Sequence, residues 1–522
     1  MNKFLKYTFV GCLALGLATS CSDDQLETTP TQDIAGTAME GSASNAMISL
    51  NGIYRLLYTA GWSVSTNGHQ ASALSLHNLY ADVEGDDCIM NAMGSGWFWY
   101  DAAYNTKSLI GTNFRAYDLW SGYYTLLQNA NYIIKNDASM DQNDTDMKFV
   151  MGQAYGIRAF SYFMLAQNFA RTYKGHESDP CVPVYTEPTE AGTQGKPRAT
   201  VAEVYEQIVA DINKAVEYLE ASQNTTIAKS NEQMGLYTAL GIKARIALTM
   251  EDWDTAAKAA ETVINSGKYT IQDIDASTFV YNGKNFCNTA SSKNVIWGAA
   301  INNEQAGMYA SFFTHMDADQ GKYGFKARKQ INKELYNKMS ATDTRRCWWN
   351  PQDPENKEGG YQQEKFKFSD GASWLGDYVW MRIEEMYLTA AEAECMKGND
   401  AQARQYLLTY MSHRDPKYTT DKTGTAMGKL TSDATGSLRE EIIKQRRIEL
   451  WGEYGRIYDI RRLHQGFRRT AEQGWPKGLL LSNRPTDNPE SYMWVQPIPQ
   501  KEFDGNASLD QKTDQTPLGD LK

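Results

Sequence analysis

The strongest constraint on the fold is a pair of amphipathic segments in residues 235–266. The first segment has apolar side chains at helical spacing, and they are Leu236, Ala239, Leu240, Ile246, Ala247 and Met250. Asp252 follows as a residue suited to cap a second helix, and Gly267 stands where that helix would end. The pattern predicts two helices that fold back on each other as a hairpin.

A related pair of segments recurs at residues 383–410. Aligning MEDWDTA with KGNDAQA places Ala256 over Ala403. Small residues at such positions let two helices approach closely, and stacked hairpins bury apolar surface that a single hairpin leaves exposed. This pattern resembles the tetratricopeptide hairpin.

Two longer segments, residues 115–135 and 146–170, carry apolar and aromatic residues at helical spacing and predict a further helix pair. Long insertions separate the two hairpin copies, which argues against a regular solenoid. The sequence therefore predicts a mainly α fold, in which a tetratricopeptide-like scaffold of helical hairpins carries long irregular loops and a few short strands.

The N-terminus, MNKFLKYTFVGCLALGLATSC, predicts export. Lys3 and Lys6 precede an apolar run too short to cross a bilayer, and small residues lead into Cys21. This arrangement resembles a bacterial lipobox and predicts a lipoprotein signal peptide at residues 1–20, with lipidation of Cys21. An ordinary signal peptide cleaved nearby is the alternative. The polar residues 21–43 predict an extended tether.

Composition argues against several classes of function. The formal net charge of -11 disfavours a nucleic-acid partner and adhesion to anionic lipid through a basic surface. The chain has no CxxC or HExxH spacing and its six histidines are scattered, so we expect neither a metal site of that type nor a cofactor. Its seven cysteines do not form the pattern of a disulfide framework, although one or two bridges stay open.

The long insertions are rich in aromatic residues. The two main clusters are GSGWFWYDAAYN at 94–105 and NVIWGAAINNEQAGMYASFFTHMD at 294–317. Such rings either pin long loops to a scaffold or form a carbohydrate site. In a carbohydrate site the rings stack on the C–H face of a pyranose, while amides and carboxylates bond to its hydroxyls. Composition alone leaves both interpretations open.

Residues 446–463, RRIELWGEYGRIYDIRRL, combine dense charge with large apolar side chains. If the segment is helical, opposite charges three residues apart would pair as Arg446 with Glu449, Glu453 with Arg456 and Asp459 with Arg462. Gly452 and Gly455 argue against an unbroken helix. We expect a partly buried ion-pair network whose role is structural.

The same segment closely resembles the stretch found near the C-terminus of the SusD/RagB family of outer-membrane nutrient-binding lipoproteins. Other pieces resemble the family in the same order, and they are the lipobox, GQAYGIRAFSYFMLAQNFA (152–170), ALGIKARIALTMEDWDTAAKAAETVI, RIEEMYLTAAEAECMKGN (382–399) and WVQPIPQKEFDGNASLDQ (494–511). The resemblance is spread over nearly all of the chain that follows the signal peptide.

The resemblance implies a cell-surface glycan-binding lipoprotein without enzymatic activity. Such a protein would sit on the outer membrane, held by its lipid, and deliver oligo- or polysaccharide to a SusC-like TonB-dependent transporter. Asp23 and Asp24 behind the lipidated cysteine look like the acidic residues that favour surface export in such families. The resemblance also divides the folded part into an N-terminal region, 44–225, and a C-terminal region, 226–522, packed as one globular unit.

Members of this family place their ligand site on loops from the first third and the middle of the chain. The resemblance and the composition together give the candidate glycan-binding residues Trp97, Trp99, Tyr100, Asn105, Trp297, Tyr309 and Phe312. Trp374 is a further candidate. The acidic group Asp82, Glu84, Asp86 and Asp87 offers the oxygen ligands that calcium prefers, and a solvated loop is the alternative for it.

Two other classes of function stay open from the sequence. A helical-repeat adaptor of the outer membrane would bind protein in a groove of the hairpins and use the aromatic loops only for packing. A glycosidase would need a positioned pair of carboxylates, and 63 acidic residues make chance pairs inevitable, so abundance decides nothing. The sequence does not name the glycan or the transporter.

Overall fold

The structure is a computed structural model. It describes residues 42–59, 67–71, 73–190, 192–274, 289–306, 309–352 and 360–518. The expected signal peptide, most of the expected tether and Cys21 lie outside these residues. No helix within them combines the length and apolarity that a bilayer-crossing segment needs.

Helices make up most of the regular structure. In the first half of the chain they are α1 (Ala43–Leu56), α2 (Ala73–Glu84), α3 (Trp99–Ala102), α4 (Phe114–Ile134), α5 (Thr145–Phe169), α6 (Val201–Ala221), α7 (Leu236–Met250) and α8 (Trp253–Asn265). In the second half they are α9 (Phe312–Met316), α10 (Tyr323–Lys326), α11 (Lys333–Asn337), α12 (Ile383–Met396), α13 (Asp400–Ser412), α14 (Leu438–Glu449), α15 (Arg456–Arg462), α16 (Gln500–Gly505) and α17 (Gln511–Asp514).

The strands are short, as predicted. They are β1 (Cys88–Met90), β2 (Val295–Ala299), β3 (Lys329–Ile331), β4 (Trp349–Asn350), β5 (Gln362–Gln363) and β6 (Tyr378–Arg382). One antiparallel sheet has the order β1-β3-β5-β4, and β2 pairs with β6 in a second. In the first sheet, β1 comes from the first third of the chain and the other three strands come from the middle. The pairing of β1 with β3 brings the two parts of the chain together.

The predicted pair of long helices is confirmed as α4 and α5, with α6 packed against α5. Asp144 caps α5 by accepting hydrogen bonds from the amides of Asp146 and Met147. Arg158 joins the three helices, because its guanidinium binds both carboxylate oxygens of Asp211 on α6 and the side-chain oxygen of Asn131 on α4. The core of the N-terminal half therefore forms around α5.

The two predicted hairpins are also confirmed, as α7 with α8 and α12 with α13. Asp252 caps α8 through the amide of Thr255, as its position predicted. The aligned alanines, Ala256 and Ala403, are both 0% exposed, so each lets a neighbouring helix approach. The predicted mainly α scaffold of tetratricopeptide-like hairpins is therefore present.

The segment 446–463 is not one helix. Helix α14 ends at Glu449 and α15 begins at Arg456, because Gly452 and Gly455 adopt φ values of 79° and 101° that interrupt the helix. The turn redirects the charged side chains away from the pairing that an unbroken helix would give.

One of the three predicted pairs forms, between Asp459 and Arg462 at 2.7 Å. The predicted partners of the other two pairs bind elsewhere. Arg446 binds Asp459 at 2.8 Å, and Glu449 binds Arg382 and Arg414, each at 2.9 Å. The expected buried network is therefore present, but residues distant in sequence complete it.

The acidic group near the end of α2 is not a solvated loop. Asp82, Glu84, Asp86 and Asp87 are all buried, and no group of residues suited to hold a metal occurs in the described ranges. Arg447 contacts Asp87 at 2.6 Å and Asp86 at 3.1 Å, which compensates two of the buried charges. The solvated-loop interpretation is thus wrong, and the pairing of Asp86 and Asp87 with arginine argues against calcium binding.

Three of the cysteines, Cys88, Cys181 and Cys395, are buried thiols that form no disulfide. Burial raises the pKa of the Cys181 thiol to about 12, so it behaves as a small apolar side chain rather than a reactive one. Cys287 lies outside the described residues.

Candidate ligand-binding site

The structure brings one predicted ring from each aromatic loop into a single surface cluster. The ring of Trp97 stacks on His69 with centroids 4.8 Å apart and planes within 4°. Tyr323 meets Trp97 edge-on at 6.0 Å and Tyr309 at 5.1 Å, and Tyr309 lies 5.3 Å from Trp374. We call these five residues, His69, Trp97, Tyr309, Tyr323 and Trp374, the aromatic platform.

Local backbone geometry places Trp97 in this cluster. Gly94, three residues earlier, has φ of 55°, and a Cβ there would lie 2.8 Å from the Cβ of Ala327 and 3.1 Å from the carbonyl oxygen of Lys326. Only glycine allows the loop to approach the end of α10 this closely. The approach sets Trp97 beside Tyr323, the first residue of α10.

His69 is held from two directions. Its ring nitrogen Nδ1 lies 2.6 Å from the hydroxyl of Tyr323, and its carbonyl oxygen lies 2.6 Å from Nε2 of His315. Burial lowers the pKa of His315 well below its ordinary value, so the neutral imidazole donates this hydrogen bond. Two side chains thereby fix the ring on which Trp97 stacks.

Lys329 on β3 supports the platform from below. It is 1% exposed, and its Nζ donates to the carbonyl oxygens of His315 at 3.2 Å and Ala327 at 2.8 Å. Burial lowers the pKa of Lys329 to about 8. The lysine ties the ends of α9 and α10 together, so both helices hold their positions against the sheet.

Charged groups border the platform at its Trp374 end. The Nζ of Lys322 lies 3.6 Å from the centre of the Trp374 ring, a cation–π contact. Nearby, Lys367 binds Asp319 and Glu364, each at 2.7 Å. Burial raises the pKa of Glu364 to about 7. The side chain of Asp319 is 66% exposed and so remains accessible to a ligand.

The platform is open to solvent. Tyr309 is 49% exposed, whereas Trp97, Tyr323 and Trp374 are half-buried, and Trp97 and Trp374 pack on the core by one side. Rings anchored in this way present apolar faces without a large loss of conformational entropy on binding. Chemically the cluster can stack on the apolar faces of a ring-shaped ligand and bond to its hydroxyls at the rim.

Two predicted site residues lie in the core instead. Trp297 is 0% exposed, since every residue of β2 is buried, and its ring packs between Phe160 at 5.3 Å and Trp380 at 5.1 Å. Phe312 is 5% exposed and packs against Phe366 at 5.1 Å. The site predictions for Trp297 and Phe312 are wrong, because neither ring can reach a ligand in this structure.

The remaining predicted residues lie on the short helix α3 or just after it. Trp99 is half-buried and packs on the turn at Gly478, where a Cβ would come within 2.9 Å of its ring. Tyr100 is 47% exposed, and neither residue shares a ring contact with the platform among the described residues. The side-chain oxygen of Asn105 accepts a hydrogen bond from the amide of Lys107, which forms a turn. Ligand binding by these three residues stays a prediction.

Sequence reasoning missed His69, Lys322 and Tyr323. Tyr323 lies in GKYGFK, where aromatic residues lie among glycines as in GSGWFWY, so this signal was available. His69 carries no comparable signal, because only the fold brings its loop beneath Trp97.

Comparisons with known proteins agree over most of the chain. Residues 55–248 match a SusD-like family described as starch-binding associating with outer membrane, and residues 265–514 match the SusD family. The chain is 24% identical to SusD-like protein P2 of Formosa agariphila, and the alignment covers 98% of this chain and 99% of that protein.

Solved structures share the fold. A SusD-like carbohydrate binding protein from Bacteroides vulgatus is 22% identical with a TM-score of 0.73, over 90% of this chain and 98% of that one. Surface glycan-binding protein A from Bacteroides thetaiotaomicron, solved with laminarihexaose, is 18% identical with a TM-score of 0.64, over 91% and 99% of the two chains.

Proposed function

Since this chain belongs to the SusD family, we propose that it is a cell-surface glycan-binding lipoprotein that captures oligo- or polysaccharide on the aromatic platform. The platform is the observation that carries the proposal. Four large rings meet there on one surface, and charged side chains border them. Such a surface matches the alternating apolar faces and hydroxyls of a sugar chain.

In this proposal Trp97, Tyr309, Tyr323 and Trp374 stack on successive sugar faces, and Asp319 bonds to hydroxyls. Trp99 and Tyr100 extend the surface along α3 for a longer chain. Each stacked ring contributes modestly after the cost of ordering the sugar, so binding is weak enough to permit release. Release matters, because the protein passes its glycan to a SusC-like TonB-dependent transporter.

The anchor and the organisation of the chain belong to the same proposal. A lipid on Cys21 holds the protein on the outer face of the outer membrane, and residues 21–43 serve as its tether. Regions 44–225 and 226–522 form one globular unit. Binding proceeds without catalysis, which agrees with the names of the related structures as glycan- or carbohydrate-binding proteins.

The first test compares exposed ring deletions with a matched control. Tyr309→Ala and Trp374→Ala should each lower retention in a polysaccharide gel about tenfold, because central aromatic contacts carry more than 1 kcal/mol of binding. Tyr406→Ala removes a half-buried ring from α13, away from the platform, and should leave retention unchanged.

The polysaccharide panel includes laminarin, starch, xylan and mannan, and reducing-end release is followed in parallel. Thermal unfolding of Tyr309→Ala should match that of the wild type within about 0.5 kcal/mol, since the ring is largely on the surface. Equal retention by all three variants would exclude the platform as the binding site. Release of sugar would show a glycosidase instead.

A further inference from the structure

A second concave surface lies along α4, and we call it the α4 groove. No residue of the aromatic platform lines it. Its volume is about 610 Å³, within the usual size range of ligand sites. Tyr117, Ser121, Tyr124 and Gln128 share one face of the helix at spacings of three and four residues. From Tyr117 to Gln128 this face extends about 16 Å at the rise of an α-helix, which suits an elongated ligand.

Rings form much of the wall. Trp120 lies 5.1 Å from Tyr124, which in turn lies 6.2 Å from Tyr185. Trp120 is fixed because its Nε1 donates to Glu502 at 3.1 Å, and Tyr124 because its hydroxyl donates to the carbonyl of Pro183 at 2.6 Å. The tyrosine rings are half-buried. The Nζ atoms of Lys501 and Lys196 lie over one face of Tyr117 and of Tyr185, 4.0 Å and 5.3 Å from the ring centres.

The remaining wall is built of amides and hydroxyls. The side-chain nitrogens of Gln128 and Asn129 donate to the carbonyl oxygens of Thr189 and Thr125, each at 3.0 Å. Their amide oxygens are left to accept hydrogen bonds from a ligand. Because Leu127 and Pro499 are the aliphatic residues of the wall, the groove offers little to the apolar side chains of a peptide.

The charges disfavour an anionic ligand. Glu190 and Glu502 line the groove with one cation, Lys501, whose Nζ lies 4.0 Å over the Tyr117 ring, and Lys196 lies at its edge, over the Tyr185 ring. Glu502 also accepts from Asn506 at 2.8 Å, so its position is fixed. A phosphate, a sulfate or a uronic acid would meet two carboxylates here, whereas a neutral hydroxylated ring would meet suitable partners.

From this wall we infer that the α4 groove is a second, separate binding site for a neutral oligosaccharide. The inference goes beyond the proposed function, because it depends on the groove's own residues and not on the platform. Tyr117, Tyr124 and Tyr185 provide the stacking faces, and Gln128 and Asn129 accept hydrogen bonds from sugar hydroxyls.

The test blocks the groove in a protein whose platform is already disabled. The background is Trp97→Ala with Tyr309→Ala, and the probes are laminarihexaose, maltohexaose, cellohexaose, xylohexaose and mannohexaose in calorimetry. At least one hexasaccharide should bind this background. Adding Gly505→Trp should abolish that binding, because Gly505 lines the groove and has open space at its Cβ position. Tyr117→Ala should weaken it at least fivefold.

The matched control is Gly52→Trp, which adds the same side chain on α1, again into open space but outside the groove. It should leave binding unchanged, and thermal unfolding should show that each variant is folded. The proposal is overturned if none of the five hexasaccharides binds the background, or if Gly505→Trp has no more effect than Gly52→Trp. Gly505→Trp in a protein with an intact platform measures oligosaccharide binding by the platform separately.

Discussion

Asp82 is a buried carboxyl that the structure holds protonated at neutral pH. One oxygen accepts from the amide of Arg456 at 2.8 Å, and the other has no hydrogen-bond partner. Burial raises its pKa from 3.8 to about 8. Asp86, four residues later, behaves oppositely: although burial opposes ionisation, Arg447 and Arg456 lower its pKa below the ordinary value. Neighbouring carboxyls thus contribute to stability with opposite signs.

Asp82→Asn should therefore gain stability relative to the wild type as pH rises. The folded wild type binds an extra proton between pH 3.8 and about 8, so it loses unfolding free energy across that window. The asparagine variant does not, and the difference should grow by about 1.4 kcal/mol per pH unit. Urea unfolding at pH 5, 6 and 7 measures it. Asp86→Asn is the contrast, and it should cost about 3–5 kcal/mol at pH 7 by leaving buried arginines uncompensated.

At the scale of elements, what the sequence predicts well is local. Helices α4, α5, α7 and α8 begin and end within about one residue of their predicted limits, because periodicity and caps such as Asp252 act within a few residues. Trp297 was misplaced for the opposite reason. Its burial depends on β6 and α5, which pack against β2 from distant parts of the chain. The partners of Glu449, Arg382 and Arg414, were also not predicted, because they too come from distant parts of the chain.

The turn between α14 and α15 gives a prediction at this scale. A Cβ on Gly455 would lie 2.7 Å from the Cβ of Ala81 and 2.9 Å from the Tyr458 ring. Gly455→Ala should therefore lower the free energy of unfolding through both backbone strain and a clash. Gly436 also has positive φ, at 76°, but open space around it. Gly436→Ala should cost only the strain, so Gly455→Ala should cost about 1–3 kcal/mol more in urea unfolding. Equal costs would contradict the packing at this turn.

At the scale of the whole molecule, the candidate site is a product of topology. Its rings come from residues 69, 97, 309, 323 and 374, and the β1–β3 pairing helps bring these loops together. Sequence reasoning found Trp97 and Tyr309 because their loops are conspicuous in composition. It treated Trp297 and Tyr309 as parts of one aromatic insertion, whereas Trp297 lies on strand β2, whose residues are all buried.

Two separate sites on one chain lead to the last prediction. A long polysaccharide that engages both the platform and the α4 groove binds the second site as an intramolecular event, so its apparent affinity exceeds that for a hexasaccharide. Gly505→Trp or Tyr309→Ala alone should remove this advantage and bring polymer affinity to within about tenfold of hexasaccharide affinity. Gel retention of the polymer, compared with calorimetry of the hexasaccharide from the same glycan, measures both quantities. If the single variants keep the full polymer advantage, the two sites do not act on one chain, and the groove then serves a different saccharide from the platform.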